Sequence, residues 1–173
     1  MLKRHIFLIG MAGSGKTSLG KKVASKLDLP YVDMDRYISE LVGMSIPELF
    51  LEKGEAAFRN AETNLLISLI DAPKAIISTG GGCVLNPVNY EIMRNHGIII
   101  LIDRPPEDIM QDIRLETRPL LQEKGVEEVG KMYDERIERY KKAADVVLYN
   151  AYGYHNAVYT LEKIIMNRFN LAD

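Results

Sequence analysis

With 173 residues the chain has the length of one domain, large enough to bury about 70 % of the surface its unfolded state exposes. Its 47 % hydrophobic and 27 % charged residues are ordinary for a globular protein, and 22 basic against 24 acidic side chains create no field that would draw it to nucleic acid or an anionic membrane. The single cysteine, Cys83, excludes an internal disulfide and fits a reducing compartment.

Lys3, Arg4 and His5 precede an apolar run in the manner of a secretion signal, but Gly10 and Lys16 interrupt it too soon. No stretch approaches the ~18 apolar residues of a membrane span, so a cytoplasmic location is expected. The apolar run Ile6–Ile9 predicts a first strand. Gly10 to Thr17 then match G-x-x-x-x-G-K-[ST], a phosphate-binding loop in its strand-then-helix context. The glycines let backbone N–H groups turn inward onto a polyphosphate, and the following helix adds its positive dipole end. Lys16 is placed to reach the β and γ phosphates, and the Thr17 hydroxyl to ligate Mg²⁺. Gly10, Gly13, Ser14, Gly15, Lys16, Thr17 and Ser18 are therefore the candidate nucleotide-binding residues.

Leu19, Val23 and Leu27 form one apolar stripe on a helix over 16–27. Tyr31–Val32, after the turn at Asp28-Leu29-Pro30, is a weaker strand candidate. It leads into Asp33-Met34-Asp35. Two carboxylates at alternate positions of an extended chain face the same way, one for a metal and one for a substrate hydroxyl. The plainer alternative is that Asp35 caps a helix over 36–42 and Asp33 is a loop residue. Ser45 and Glu48 make a capping-box start, and Phe58, Ala61, Leu65, Leu66, Leu69 and Ile70 keep helical register over 56–70. Arg59 on that helix either projects past Phe58 or pairs with Glu55 or Glu62 on a solvated face, the commoner outcome.

A third strand, 75–77, ends in Ser78-Thr79-Gly80-Gly81-Gly82, where bare backbone permits a ligand's close approach or a sharp turn. Cys83 has no neighbouring histidine in the sequence to activate it and reads as a neutral thiol. Asn86-Pro87 starts the next helix and His96-Gly97 ends it. A fourth strand spans 98–102, and a helix 107–113 follows. From Arg114 to about Val126, charges and breakers resist a regular element. The arginines of such a segment, as in Arg118-Pro119-Leu120-Leu121, could close over a nucleotide and meet charge developing on a transferred group; the plainer alternative is an ordinary surface loop. A helix over 129–144 carries Arg136, Arg139 and Tyr140, and spacing alone does not choose between the arginines. A strand at 146–148 and a helix over 156–169 complete the chain. His5, His96 and His155 lack metal-ligand spacing and read as structural.

Short, continuously apolar strands alternating with helices predict an α/β domain, a parallel sheet with helices on both faces. Ligands of such sheets sit beyond the carboxyl ends of the strands. About forty residues between the second and third strands, more than one crossover needs, supply a second wall over the phosphate loop. A GTPase is disfavoured because no Asn-Lys-x-Asp follows a strand.

Together, Gly10–Thr17, Asp33-Met34-Asp35, Phe58-Arg59 with Glu62, Thr79-Gly80-Gly81-Gly82, Arg118-Pro119-Leu120-Leu121 and Arg136 with Tyr140 resemble the shikimate kinase family over almost the whole chain. The resemblance implies a P-loop kinase of the nucleoside-monophosphate-kinase-like type. Its parallel sheet would have five strands in order 2-3-1-4-5, with a substrate-binding insertion at about 33–62 and a lid at about 112–125, in one domain over 1–173. It implies phosphorylation of the 3-hydroxyl of shikimate by Mg-ATP. Lys16, Asp35 and Arg118 would be catalytic; Arg59 and Arg136 would grip the shikimate carboxylate beside Asp35, Gly80, Gly81 and Gly82; Thr17 and Asp33 would serve the metal.

Two departures from the family pattern stand out. Only Leu115-Glu116-Thr117 separates Arg114 from Arg118, where Arg114 would take the adenine side. Asn150-Ala151-Tyr152-Gly153-Tyr154 replaces an Arg-Asn-Pro-type segment, with Tyr152 or Tyr154 expected to pack there instead. A monomer that engages neither nucleic acid nor membrane is expected. The competing readings are a kinase of the same fold for another acidic acceptor such as gluconate, and a non-catalytic ATP-binding module.

Overall fold

Five short runs rich in β-branched residues pair in parallel in the computed structural model, which describes residues 2–112 and 128–169. The strands are β1 His5–Ile9, β2 Tyr31–Asp33, β3 Ile76–Ser78, β4 Gly97–Asp103 and β5 Val146–Tyr149, in the order β2-β3-β1-β4-β5. This is the expected sheet. Each predicted strand is present, shifted or lengthened by a residue or two at its ends. The central strand β1 runs between β3 and β4, Ile6 pairing with Ile76 on one side and Ile98 on the other.

All five residues of β1 are buried, because both faces of the sheet are covered. Ile6 and Leu8 point to helices α1 (Lys16–Lys26) and α7 (Tyr154–Phe169), where Leu19, Val23, Leu161 and Ile165 meet them. Phe7 and Ile9 point the other way, into a larger core. That core is built from α2 (Met34–Val42), α3 (Ile46–Leu69), α4 (Pro87–His96), α5 (Pro106–Asp112) and α6 (Glu128–Ala143). No helix among the described residues is long and apolar enough to cross a membrane.

The start signals act as expected at two helices. Ser45 Oγ accepts from Glu48 N at 3.4 Å while Glu48 Oε2 accepts from Ser45 N at 2.7 Å, a complete capping box. Asn86 Oδ1 accepts from Val88 N at 2.9 Å ahead of Pro87. The segment read as a helix over 56–70 is the second half of α3, which kinks at Gly54 (φ 79°, ψ 170°). Helix α2 begins at Met34, earlier than expected, because Asp33 and not Asp35 caps it: Asp33 Oδ1 accepts from Arg36 N at 3.2 Å.

His96-Gly97 does end α4, but Gly97 is extended (φ −152°) and opens β4. Space is what demands glycine there. A Cβ at residue 97 would lie 2.3 Å from Phe7 Cε2 and 2.8 Å from the His5 carbonyl oxygen. His5 is buried and accepts from Ala75 N through Nδ1 at 3.2 Å, so Nε2 carries the proton it donates to Leu69 O at 2.8 Å. Burial, then Lys74, holds its pKa below the usual histidine range. It is structural, as expected.

The crowding at Gly97 yields a stability test. Gly97→Ala forces Phe7 and the β1 backbone apart and lowers unfolding free energy by about 1–3 kcal/mol in urea denaturation; an unchanged midpoint would show that the strand pair yields freely.

Candidate active site

The phosphate loop turns out of β1 at Gly10, whose φ of 138° only glycine adopts freely. A Cβ there would sit 2.4 Å from the Ile102 carbonyl oxygen, so the close approach of the β4 backbone also requires glycine. Gly13 and Gly15 likewise have positive φ, and Gly15 caps α1. Lys16 is buried and folds back over the loop, donating from Nζ to Gly10 O at 2.9 Å and Met11 O at 2.8 Å. Ser14 Oγ is buried with no hydrogen-bond partner among the described residues. Ser18 is exposed, its hydroxyl bonded to Gly15 O.

Thr17 Oγ1 donates to Asp33 Oδ2 at 2.9 Å, beside the Ser78 hydroxyl at 3.4 Å. The Tyr31 phenol reaches Thr17 O at 3.3 Å, and burial with the neighbouring Asp33 charge pushes its pKa up to about 12. The two aspartates therefore do not share one extended face. Helix α2 starts between them and sends Asp33 to Thr17 and Asp35 to a second cluster built on α3 and the glycines.

In that cluster Gly80 has no room for a side chain, and Gly81 and Gly82 have little. A Cβ at Gly80 would lie 2.3 Å from Glu62 Oε1 and 3.1 Å from Asp35 Oδ1. At Gly82 it would meet the Arg59 guanidinium at 2.8–3.0 Å, and at Gly81 the phosphate-loop nitrogen of Ala12 at 3.2 Å. Arg59 pairs with both glutamates, Nη1 to Glu62 Oε2 at 2.7 Å and Nη2 to Glu55 Oε1 at 2.9 Å. It does not lie on a solvated face, because Glu62 is completely buried and Arg59 stacks at 5.2 Å over Phe58.

Glu62 is the residue that changes most in importance between sequence and structure. Burial drives its pKa up to about 7, with Asp35 and Glu55 adding repulsion while Arg59 pulls it back down. Its Oε1 has no hydrogen-bond partner among the described residues. The i,i+3 spacing from Arg59 was the available signal, but spacing says nothing about burial. Cys83, next to this cluster, is buried, and desolvation raises its thiol well above the ordinary range, as befits an inert residue.

Helix α6 closes the far side. Tyr140 is fully buried and donates to Gly81 O at 2.6 Å. Arg136, one turn earlier, is half-buried and near enough to act on the Tyr140 phenol. Arg139 is exposed and donates to Leu85 O at 2.8 Å. Two contacts with the phosphate loop were not anticipated: Asn150 Nδ2 to Ser14 O at 2.9 Å, and Arg104 Nη1 to Gly13 O at 3.1 Å. Both residues immediately follow strands, so the carboxyl-end rule contained the signal. Tyr152 is 74 % exposed against Tyr149, and Tyr154 OH lies 3.5 Å from Ser18 O. Arg114 and Arg118, with nearly all of the expected lid, lie outside the described residues.

The family model described as shikimate kinase matches residues 12–164. The chain belongs to the shikimate kinase family. It is similar to "Shikimate kinase" of Clostridium botulinum (strain Eklund 17B / Type B), 41 % identical over 96 % of this chain and 99 % of the relative. It is also 38 % identical to that of Clostridium beijerinckii over 98 % of this chain and 99 % of the relative. Among solved structures it resembles the shikimate kinase of Acinetobacter baumannii in complex with shikimate, with a TM-score of 0.88 and 30 % identity, over 96 % of this chain and 93 % of that one. The Aquifex aeolicus enzyme superposes with a TM-score of 0.80 at 29 % identity, over 95 % and 97 %.

The raised pKa of Glu62 has a definite sign in stability. Between about pH 4.5 and pH 7 the folded state holds a proton on Glu62 that the unfolded state has released, so this residue makes stability fall as pH rises through that window. Glu62→Gln removes that contribution. Denaturant midpoints of both proteins across the window will show a smaller decline in the variant; identical pH profiles would mean Glu62 titrates normally.

Proposed function

We propose that this protein transfers the γ-phosphoryl group of ATP in line to the 3-hydroxyl of shikimate, with Arg59 and Arg136 gripping the carboxylate and Asp35 receiving the hydroxyl. As a member of the shikimate kinase family the protein is an ATP-dependent kinase of shikimate. One observation carries the assignment of roles. Gly81 packs against the phosphate loop while its neighbours pack against Asp35, Glu62 and Arg59, so a charged acceptor cluster abuts the donor loop across bare backbone.

In this reading Lys16 moves from the Gly10 and Met11 carbonyls onto the β and γ phosphates, and the N–H groups of residues 13–18 cradle them. The oxygen donors of Thr17 and Asp33 fit Mg²⁺, a hard cation that takes hydroxyl, carboxylate and water oxygens. Thr17 would bind it directly and Asp33 through water, where it would neutralise charge on the β and γ phosphates. Asp35, in the first turn of α2, stands at the Gly80 end of the cluster, where it orients the attacking hydroxyl and accepts its proton. Arg59 rests with Nε and Nη2 on the exposed Glu55 and Nη1 on Glu62, so a substrate carboxylate would take its remaining Nη hydrogens or displace Glu55.

Arg118 is assigned to the charge on the transferred group and Arg114 to the adenine side. A monomer in the cytoplasm belongs to the same reading.

A coupled assay of ADP release with shikimate, quinate and gluconate tests the acceptor. Shikimate is expected to support turnover; turnover of gluconate without shikimate would overturn the assignment. Arg136→Ala is expected to raise the shikimate KM roughly 10- to 100-fold, the loss of charge-assisted hydrogen bonds, with little change for ATP. Equal effects on both would move Arg136 out of the acceptor pocket.

A further inference from the structure

The carbonyl groups of the three glycines are held in different ways. Gly80 O accepts from Cys83 N at 3.1 Å and Gly82 O from Leu85 N at 3.1 Å, both within the short turn that follows. Gly81 O, between them, accepts instead from the Tyr140 hydroxyl at 2.6 Å, a residue 59 positions away. A trans peptide points its C=O and the next N–H in opposite directions. Anchoring Gly81 O on Tyr140 therefore aims the Gly82 N–H away from the phenol. Glycine on both sides makes this peptide easy to flip, as it does Gly80–Gly81, whose carbonyl the turn itself holds through Cys83 N.

The phenol is well placed as an anchor. It is fully buried in the main core, where it also lies 3.7 Å from Met11 Sδ of the phosphate loop. Burial raises its pKa, so it stays protonated and remains a donor. Arg136 is one helical turn away on the same element. Tyr140 thus ties α6, the glycine segment and the phosphate loop together at one hydroxyl.

We propose that Tyr140 is a positioning residue for acceptor binding: its hydroxyl locks the Gly81–Gly82 peptide so that the Gly82 N–H faces the acceptor. This rests on the reading that the glycine segment lines the acceptor pocket. Without the lock the peptide samples both orientations, and the acceptor meets a donor only part of the time.

The test compares Tyr140→Phe with wild type in shikimate KM, ATP KM and melting temperature. Removing the hydroxyl is expected to raise the shikimate KM about tenfold and leave the ATP KM within about twofold. Tyr133→Phe, on the same helix as Tyr140, loses a bond to Asp103 of β4 (2.8 Å) and is expected to leave the shikimate KM unchanged. A lowered melting temperature with unaltered KM values in Tyr140→Phe, or an equal rise in both, would overturn the lock. Arg136→Lys in the same assay separates the two claims. A shikimate KM raised only in Arg136→Lys sinks the lock alone, whereas no rise in either variant sinks the acceptor-pocket reading. Should Tyr140→Phe not fold, NMR of the isotope-labelled wild type decides: the Gly82 amide resonance must move when shikimate is added, and an unmoved resonance overturns the proposal.

Discussion

At the carboxyl end of β3 the chain runs so close to charged side chains and to the phosphate loop that Gly80 has no room for a Cβ and Gly81 and Gly82 have little, and the geometry of the site follows from that approach. Gly80 faces Asp35 and Glu62, Gly82 faces the Arg59 guanidinium, and Gly81 touches the loop at Ala12. On the proposed reading, a side chain at Gly80 would push the acceptor cluster away from the donor loop. A displacement of about 1 Å between reacting groups costs on the order of a hundredfold in rate.

The bare backbone also explains the unusual electrostatics behind it. Because Gly80 occupies so little space, Glu62 is buried beside it and becomes a carboxylate whose ionisation depends on Arg59. Arg59 is in turn held by Glu62 and Glu55 in one orientation before any ligand arrives, with its side chain 23 % exposed. A buried pair of this kind contributes little net stability, since desolvating both charges offsets their attraction. On the proposed reading its value lies in preorganisation: the Arg59 side chain is already ordered by Glu62 and Glu55 before the acceptor arrives. On the opposite side the same logic applies to Thr17, which Asp33 fixes at 2.9 Å.

Much of the architecture was legible from residue pattern. Continuously apolar strands predicted the parallel sheet, and Ser45 with Glu48 and Asn86 with Pro87 marked helix starts that the structure contains. The phosphate loop was legible because its pattern is local and the physics of a loop is local too. What pattern could not supply was burial and direction. Arg59 read as either projecting past Phe58 or pairing with Glu55 or Glu62 on a solvated face, because i,i+3 spacing is the same on either face of a helix; only the packing of α3 on the glycines makes Glu62 a buried acid. Asp33 and Asp35 read as neighbours on an extended chain because helix α2 begins two residues earlier than pattern suggested. Gly97 does follow the end of its helix as read, but what demands glycine there is contact with a phenylalanine ninety residues earlier, which pattern does not show. Each miss concerns a contact between segments distant in sequence or a boundary where capping decides the direction of a side chain.

The central claim is that the cluster of Asp35, Arg59 and Arg136 beside the glycines receives the acceptor while the loop at Gly10–Thr17 receives the donor. A crystal structure of the protein with shikimate bound tests it most directly. The account predicts the carboxylate within hydrogen-bonding distance of Arg59 and Arg136, a ring hydroxyl on Asp35, and the 3-hydroxyl turned toward Lys16. Shikimate seated with its carboxylate on Lys16 or Thr17, and no contact with Arg59, would contradict it.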